Sequence, residues 1–387
     1  MKTIFKITLL VTIVSIFYNC KQDDETTTID IRDRVEVYKE NIIEIKEYLK
    51  SNYITIGANN EVTVTKIPEN GTQTSIWEQY KSTEFGTDEE PEEVPFITVK
   101  NDVRNSLLTD GRIDDDVDYK LYYIVLDEGN GSTPSSIDST FVAYKGWNFE
   151  NVVFDQNNSG TWFSYPDVNT SISGFRQILS KIKTPSLTLS PPIEGTDGSI
   201  SYSNYGNVIV FIPSGLAYFN SGGSNIGAYD PIAFQIKLFA LKERDHDYDE
   251  VDSKYEDFSY DPITKERILT PDNDYFNDDT DGDKIPDFLD VDDDGDGFLT
   301  KFEIRHSITT GTTPNVVTTY YYYPFNGAAI DNPSTPYDDR RGIPRKFTGP
   351  IIPPSTLPSP ASDDSDFTDP SRLRRHLDKT CKPPYTN

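Results

Sequence analysis

Cysteine is almost missing from this chain: its 387 residues include two, Cys20 and Cys381, at opposite ends. Disulfide-stapled scaffolds and thiolate zinc sites need several cysteines at close spacing, so both are excluded. Histidine is nearly as scarce. His246, His306 and His376 are scattered, so local spacing builds neither a hydrolase triad nor a zinc motif. Positive charge is short too, with 36 Lys and Arg against 64 Asp and Glu and a net charge of −28. Phosphate binding needs a basic face, so nucleic acid is excluded as a partner. Apolar residues make up 35% of the chain, less than one compact core of this length would contain. Part of it is therefore read as linker or tail.

What is present divides the chain into five stretches. Residues 1–19 have a short basic start and an apolar run from Ile7 to Phe17, too short to cross a bilayer and read as an export signal. The run ends at Cys20, and a cysteine there looks like a bacterial lipoprotein signal, in which the thiol is acylated. That resemblance implies a lipid-anchored protein of the outer membrane, at the periplasmic face or the cell surface. Residues 20–118 form a tether and an N-terminal extension. Within it Tyr38, Ile42, Ile45 and Leu49 recur at helical spacing and predict an amphipathic helix ending near Ser51. The extension contains no catalytic constellation and is expected to pack on the next domain.

Residues 119–244 read as a small antiparallel β domain with one short helix. Leu121, Tyr123 and Val125 alternate, and Gly129-Asn130-Gly131 turns the chain. Phe141–Tyr144, Val208–Ile212 and Ile232–Leu238 are further strands, and a turn at Asn148–Asn151 suits asparagine in the left-handed conformation. Phe175, Ile178, Leu179 and Ile182 share one helix face. The fold class is α+β: an antiparallel sheet wrapped around a short helix.

The order of Tyr144-Lys145-Gly146, Phe154-Asp155, Gly174-Phe175, Ile212-Pro213 with Ala217-Tyr218, and Phe234 to Leu238 resembles the FKBP-type peptidyl-prolyl cis-trans isomerases. The resemblance covers about a third of the chain. It implies a pocket with walls from Tyr144 and Phe154, with Asp155 beside them, and a further wall from Phe163 or its neighbour Trp162. It also implies a rim at Ile172, a floor at Phe175, a back wall at Phe234, and a Tyr218 hydroxyl that bonds the substrate carbonyl. The chain departs from the family in the long polar insertion Lys183–Asn207, and in Phe219, which stands where glycine is usual. The implied substrates are proline-containing exported polypeptides, and no cofactor is needed for catalysis. The competing reading is a non-enzymatic calcium-binding surface lipoprotein that binds proline-containing partners.

Residues 245–308 carry about a third of the acids. Asp292 to Glu303 fills a twelve-residue calcium loop, with Asp292, Asp294 and Asp296 at positions one, three and five. Gly297 supplies the turn, the Phe298 carbonyl follows, and Glu303 closes the loop. Asp279, Asp281, Asp283, Asp287 and Asp290 repeat the spacing, with Lys284 in place of the turn glycine. Oxygen donors without histidine or thiolate favour calcium. The overlapping loops resemble thrombospondin type 3 repeats, which implies a calcium-stiffened linker. Residues 309–387, rich in Pro, Thr, Ser and Tyr, are expected to be a largely irregular tail.

Overall fold

The computed structural model describes residues 31–103, 113–165, 171–260, 267–268, 274–335, 339–345 and 373–382. Cys20 and the stretch read as an export signal lie outside these residues. Met1–Asp33 and Arg34–Asn387 are separate units, and everything below belongs to the second.

The centre is a six-stranded sheet built from β3 (Phe96–Val99), β4 (Tyr119–Asp127), β5 (Ser139–Asn148), β6 (Val153–Phe163), β9 (Gly206–Ile212) and β10 (Ile232–Lys242). Its order is β3-β4-β9-β10-β5-β6, and every neighbouring pair is antiparallel. The short pairs β1 (Asn52–Ile56) with β2 (Val62–Lys66) and β7 (Ile193–Glu194) with β8 (Ile200–Ser201) stand apart from it, as do β11 (Ser259–Tyr260) with β12 (Arg267–Ile268) and β13 (Arg305–Thr310) with β14 (Val317–Tyr322). The class is α+β, with one large antiparallel sheet and few helices.

Both faces of the sheet are covered, and alternate residues of each strand serve opposite layers. On one face Leu121, Val142, Val210, Ile212, Phe234 and Ile236 pack against Phe175, Ile178, Leu179 and Ile182 from the short helix Ser173–Gln177 and the turn after it. Gly174 allows that approach, because a Cβ there would stand 2.5 Å from Ile212 Cγ2. On the other face Tyr122, Ile124, Trp147, Ile209, Phe211 and Ala233 meet Ile45, Tyr48 and Leu49 of the helix Arg34–Ser51, with Val62, Ile76, Trp77 and Val94. Two-sided burial explains why β9 reads as the unbroken apolar run Val208–Ile212 and is buried along its whole length.

Polar groups fasten the N-terminal helix to the sheet and its loops. Asn41 is buried; its Oδ1 accepts from the Ser214 N–H (2.8 Å) and hydroxyl (2.7 Å), and its Nδ2 donates to the Tyr229 carbonyl (2.9 Å). Glu93 is buried against Lys120 (2.9 Å), Lys46 (3.1 Å) and the Tyr122 hydroxyl. The stretch after Thr309, read as largely irregular, contributes most of the exposed hairpin β13–β14. Arg375 and His376 are buried there, and the Arg374 guanidinium lies 3.6 Å over the Phe325 ring.

Candidate functional site

The site forms where β5, β6 and β10 meet the short helix. Tyr144 pairs with Asn157 across the β5–β6 ladder, so Asp155, two residues away, shares its face. The Tyr144 hydroxyl donates to Asp155 Oδ2 at 3.0 Å. A register shift between Gly146 and Trp147 explains how the adjacent Phe154 and Asp155 both serve this face, since a bulge interrupts strict alternation. Gly146 also leaves space for the rings: a Cβ there would lie 2.5 Å from Phe234 and 2.7 Å from Phe154.

Five rings meet edge to face or tilted, the geometry that aromatic quadrupoles favour. Phe175 stands 5.2 Å from Phe234, 5.6 Å from Phe163 and 5.7 Å from Tyr144 between ring centres, and Phe154 stands 5.4 Å from Phe234. Phe175 and Phe234 are buried, whereas Tyr144, Phe154, Phe163, Ile172 and Tyr218 are half-buried around them. Ile172 caps the helix start, and its carbonyl accepts from Arg176 N–H at 3.3 Å. Trp162 points elsewhere, 51% exposed, with its ring on Phe141 at 5.4 Å. The structure therefore brings together Tyr144, Phe154, Asp155, Phe163, Ile172, Phe175, Tyr218 and Phe234 and leaves Trp162 outside.

Burial, then the hydrogen bond to Asp155, pushes the Tyr144 phenol up to about 12. Burial, then the Asp155 charge, raises Tyr218 as well, so both hydroxyls remain proton donors at ordinary pH. Among the described residues the Tyr218 hydroxyl bonds to no other side chain. The loop carrying it is tied down by Asn41, and Phe219 takes φ +45 there. A separate cleft of about 570 Å³, lined by Glu61, Lys145, Gln235, Lys237 and Phe239 among others, shares only Tyr144 with the ring cluster. Glu61 is already paired with Lys145 (3.4 Å) and Lys237, and the cleft's further rings, Tyr202 and Tyr205, pack on Phe239 at 4.7 and 5.0 Å between ring centres.

The acidic stretch forms two turns, each with three grouped carboxylates. One oxygen from each of Asp279, Asp281 and Asp283 lies within 4.8 Å of the others, and the same holds for Asp292, Asp294 and Asp296. Gly297 takes φ +93, and Lys284 takes φ +85 where a glycine is usual. Asp292 accepts from the N–H groups of Asp296 (3.2 Å) and Gly297 (3.0 Å). Asp281 touches the second turn, since a Cβ on Gly295 would stand 2.2 Å from its Oδ2. Asp290 is buried and Phe298 exposed. Asp287 accepts instead from the Thr280 N–H at 2.7 Å, and neither it nor Glu303, which is buried, joins the grouped oxygens. Burial, then the Asp296 charge, pushes Asp294 up to about 7, and among the described residues its Oδ2 has no hydrogen-bond partner. An all-oxygen set with a buried, unpartnered carboxylate fits calcium.

Sequence reasoning passed over a third cluster. Asp247, Asp249, Glu256 and Asp293 each bring one oxygen within 4.8 Å of the rest. Three stretches of chain contribute, so no spacing rule could have found it.

The fold and site together define an α+β module with an aromatic box on one face of its sheet and acidic turns beyond its last strand. The family described as BamM C-terminal matches residues 246–337. No curated protein matches. Among solved structures, the chain is similar to a peptidyl-prolyl cis-trans isomerase from Pseudomonas syringae pv. tomato, at 24% identity over 36% of this chain and 80% of that one, with a TM-score of 0.25. It is also similar to FkpA from Escherichia coli, at 24% identity over 32% of this chain and 48% of that one, TM-score 0.25, and so spans about half of FkpA's length. The N-terminal domain of FKBP42 from Arabidopsis thaliana is matched at 16% identity over 35% of this chain and 99% of that domain, TM-score 0.26.

Proposed function

We propose that this chain is a peptidyl-prolyl cis-trans isomerase of the FKBP type acting on exported, proline-containing polypeptides. The observation that carries the reading is the box of Tyr144, Phe154, Phe163, Phe175 and Phe234, with the Tyr144–Asp155 pair at its mouth. Rotation about an X-Pro bond passes through a twisted amide that has lost its resonance, at an uncatalysed barrier of about 18–20 kcal/mol. An apolar pocket disfavours the polar planar amide relative to the twisted form, so no nucleophile is required. A thousandfold acceleration needs about 4 kcal/mol of differential binding. Phe234 and Phe175 supply the apolar surface, Asp155 holds Tyr144 in place, and Tyr218 donates to the substrate carbonyl.

A protease-coupled proline-peptide assay on the full chain tests this. Wild type is expected to accelerate isomerisation, and Asp155→Ala to lower kcat/KM about 10- to 100-fold, the range for losing a hydrogen bond to a charged group. Wild type, Asp155→Ala and Tyr218→Phe all matching buffer would remove the enzyme reading. Retained proline-peptide binding would then favour the non-enzymatic calcium-binding lipoprotein, which the acidic turns support.

We infer that the protein sits at the outer membrane, anchored through an acylated Cys20 after a lipoprotein-type signal, with calcium stiffening the thrombospondin-like segment after the sheet. Several acyl chains on one residue give the stable anchoring that one chain does not. Radiolabelled palmitate should be incorporated by wild type and lost in Cys20→Ser; label that survives the substitution defeats the anchor.

A further inference from the structure

The third carboxylate cluster joins parts of the chain that the two acidic turns leave apart. Asp247 and Asp249 lie just beyond β10, Glu256 follows the turn Ser253–Tyr255, and Asp293 lies in the second acidic turn. Glu256 is 2% exposed and Asp293 1%. Among the described residues, neither oxygen of Glu256 or Asp293, nor Oδ2 of Asp247 or Asp249, has a hydrogen-bond partner. The other oxygens of the two aspartates are held by backbone: Asp247 Oδ1 accepts from Asp249 N–H (3.2 Å) and Asp249 Oδ1 from Val251 N–H (2.7 Å). That leaves each Oδ2 available to the cluster.

Carboxylates removed from water without partners are strongly unfavourable, and buried ones are paired or bind metal. Oxygens bound to one calcium at about 2.3–2.6 Å can be no more than about 5 Å apart, and this cluster meets that limit. Four oxygens are grouped, one from each residue, and Glu256 and Asp293 each carry a second unpartnered oxygen. Bidentate contacts from these two would reach the lower end of calcium's usual six to eight ligands, whereas magnesium keeps several waters. We propose that Asp247, Asp249, Glu256 and Asp293 bind a structural calcium ion, distinct from any held by Asp279, Asp281 and Asp283 or by Asp292, Asp294 and Asp296.

Such an ion would clamp the acidic segment against the end of the sheet. His246, next to Asp247, has its ring nitrogens 2.8 Å from the Tyr165 carbonyl and 2.9 Å from the Ser253 hydroxyl. Its ring also packs at 5.6 Å on Phe288. The clamp therefore closes a connection between the end of β6 and the acidic turns, independent of any isomerase activity.

Calcium titration calorimetry and native mass spectrometry on the chelator-treated full chain test the site. Glu256→Gln, nearly isosteric, is expected to lower the calcium count by one and to abolish the matching heat. Because Glu256 is fully buried, Asp247→Asn at a half-buried position gives a second reading and must also lower the count by one. Unchanged counts and heats in both variants overturn the proposal. Asp279→Ala with Asp281→Ala must leave the Glu256-dependent site in place. Loop variants with unchanged heats, alongside cluster variants with a lower count, would defeat the loop reading and leave this one standing. Magnesium binding as strong as calcium at the Glu256-dependent step overturns the choice of ion.

Discussion

Gly146 is the position at which the backbone lets two rings of the box meet. An added Cβ would stand 2.5 Å from Phe234 and 2.7 Å from Phe154, and the buried Phe234 ring has little room to retreat inside a close-packed cluster. Gly146→Ala is therefore expected to lower stability by about 1–3 kcal/mol and to weaken proline-peptide binding by displacing a wall of the box. Urea unfolding and a fluorescence titration check both effects; an unchanged midpoint with unchanged affinity would mean that the rings yield at no cost. Phe219 shows the opposite balance. Its left-handed conformation, φ +45, costs a non-glycine residue about 1–2 kcal/mol. The ring is buried against Tyr229, at 5.1 Å between ring centres, with the Arg34 guanidinium 4.0 Å above it. Packing holds in place a conformation that a glycine would adopt more easily.

At the scale of elements, the strands and the N-terminal helix were legible because their apolar residues repeat at the right period. Ile45 and Leu49 are indeed buried in the helix Arg34–Ser51. The buried face also includes Asn41, which no apolar pattern could indicate, because its burial depends on Ser214 and Tyr229, far away in sequence. The site residues were legible as an ordered series, yet only the β5–β6 register sorts Phe163 from Trp162. Glu93 belongs with Asn41, an acid beside an acidic loop whose partners are supplied by tertiary structure. Burial alone would raise its carboxyl, but hydrogen bonds from Lys120, Tyr122 and Lys46 outweigh that and hold it below its ordinary 4.5. A depressed carboxyl contributes stability that is present above its unfolded value and is lost as pH falls through the folded one. The melting temperature of wild type is thus expected to drop more between about pH 6 and pH 3 than that of Glu93→Gln. Parallel curves would show that Glu93 is not a linkage group.

At the scale of the whole molecule, the sheet is organised by what covers it on both sides. The resemblance drew attention to the face carrying the box, with Phe175 and the short helix. The other face exposes Tyr122, Ile124, Trp147, Ile209 and Phe211 unless Ile45, Tyr48, Leu49, Ile76 and Trp77 lie over it. Burying a large apolar side chain is worth about 1.5–3 kcal/mol, and a domain's net stability is only about 5–15 kcal/mol, so losing several such contacts exceeds the margin. The N-terminal stretch also supplies edge strand β3, which pairs Phe96–Val99 with β4, and the Asn41 bonds that fix the loop carrying Tyr218. A chain beginning at Tyr119 is therefore expected to be insoluble or to bind hydrophobic dye without a cooperative melt, although it retains every residue of the box. A chain beginning at Arg34 should melt cooperatively near the full-length value. Soluble, cooperative folding from Tyr119 onward would show that the helix face is an accessory to the sheet and that the box stands without it.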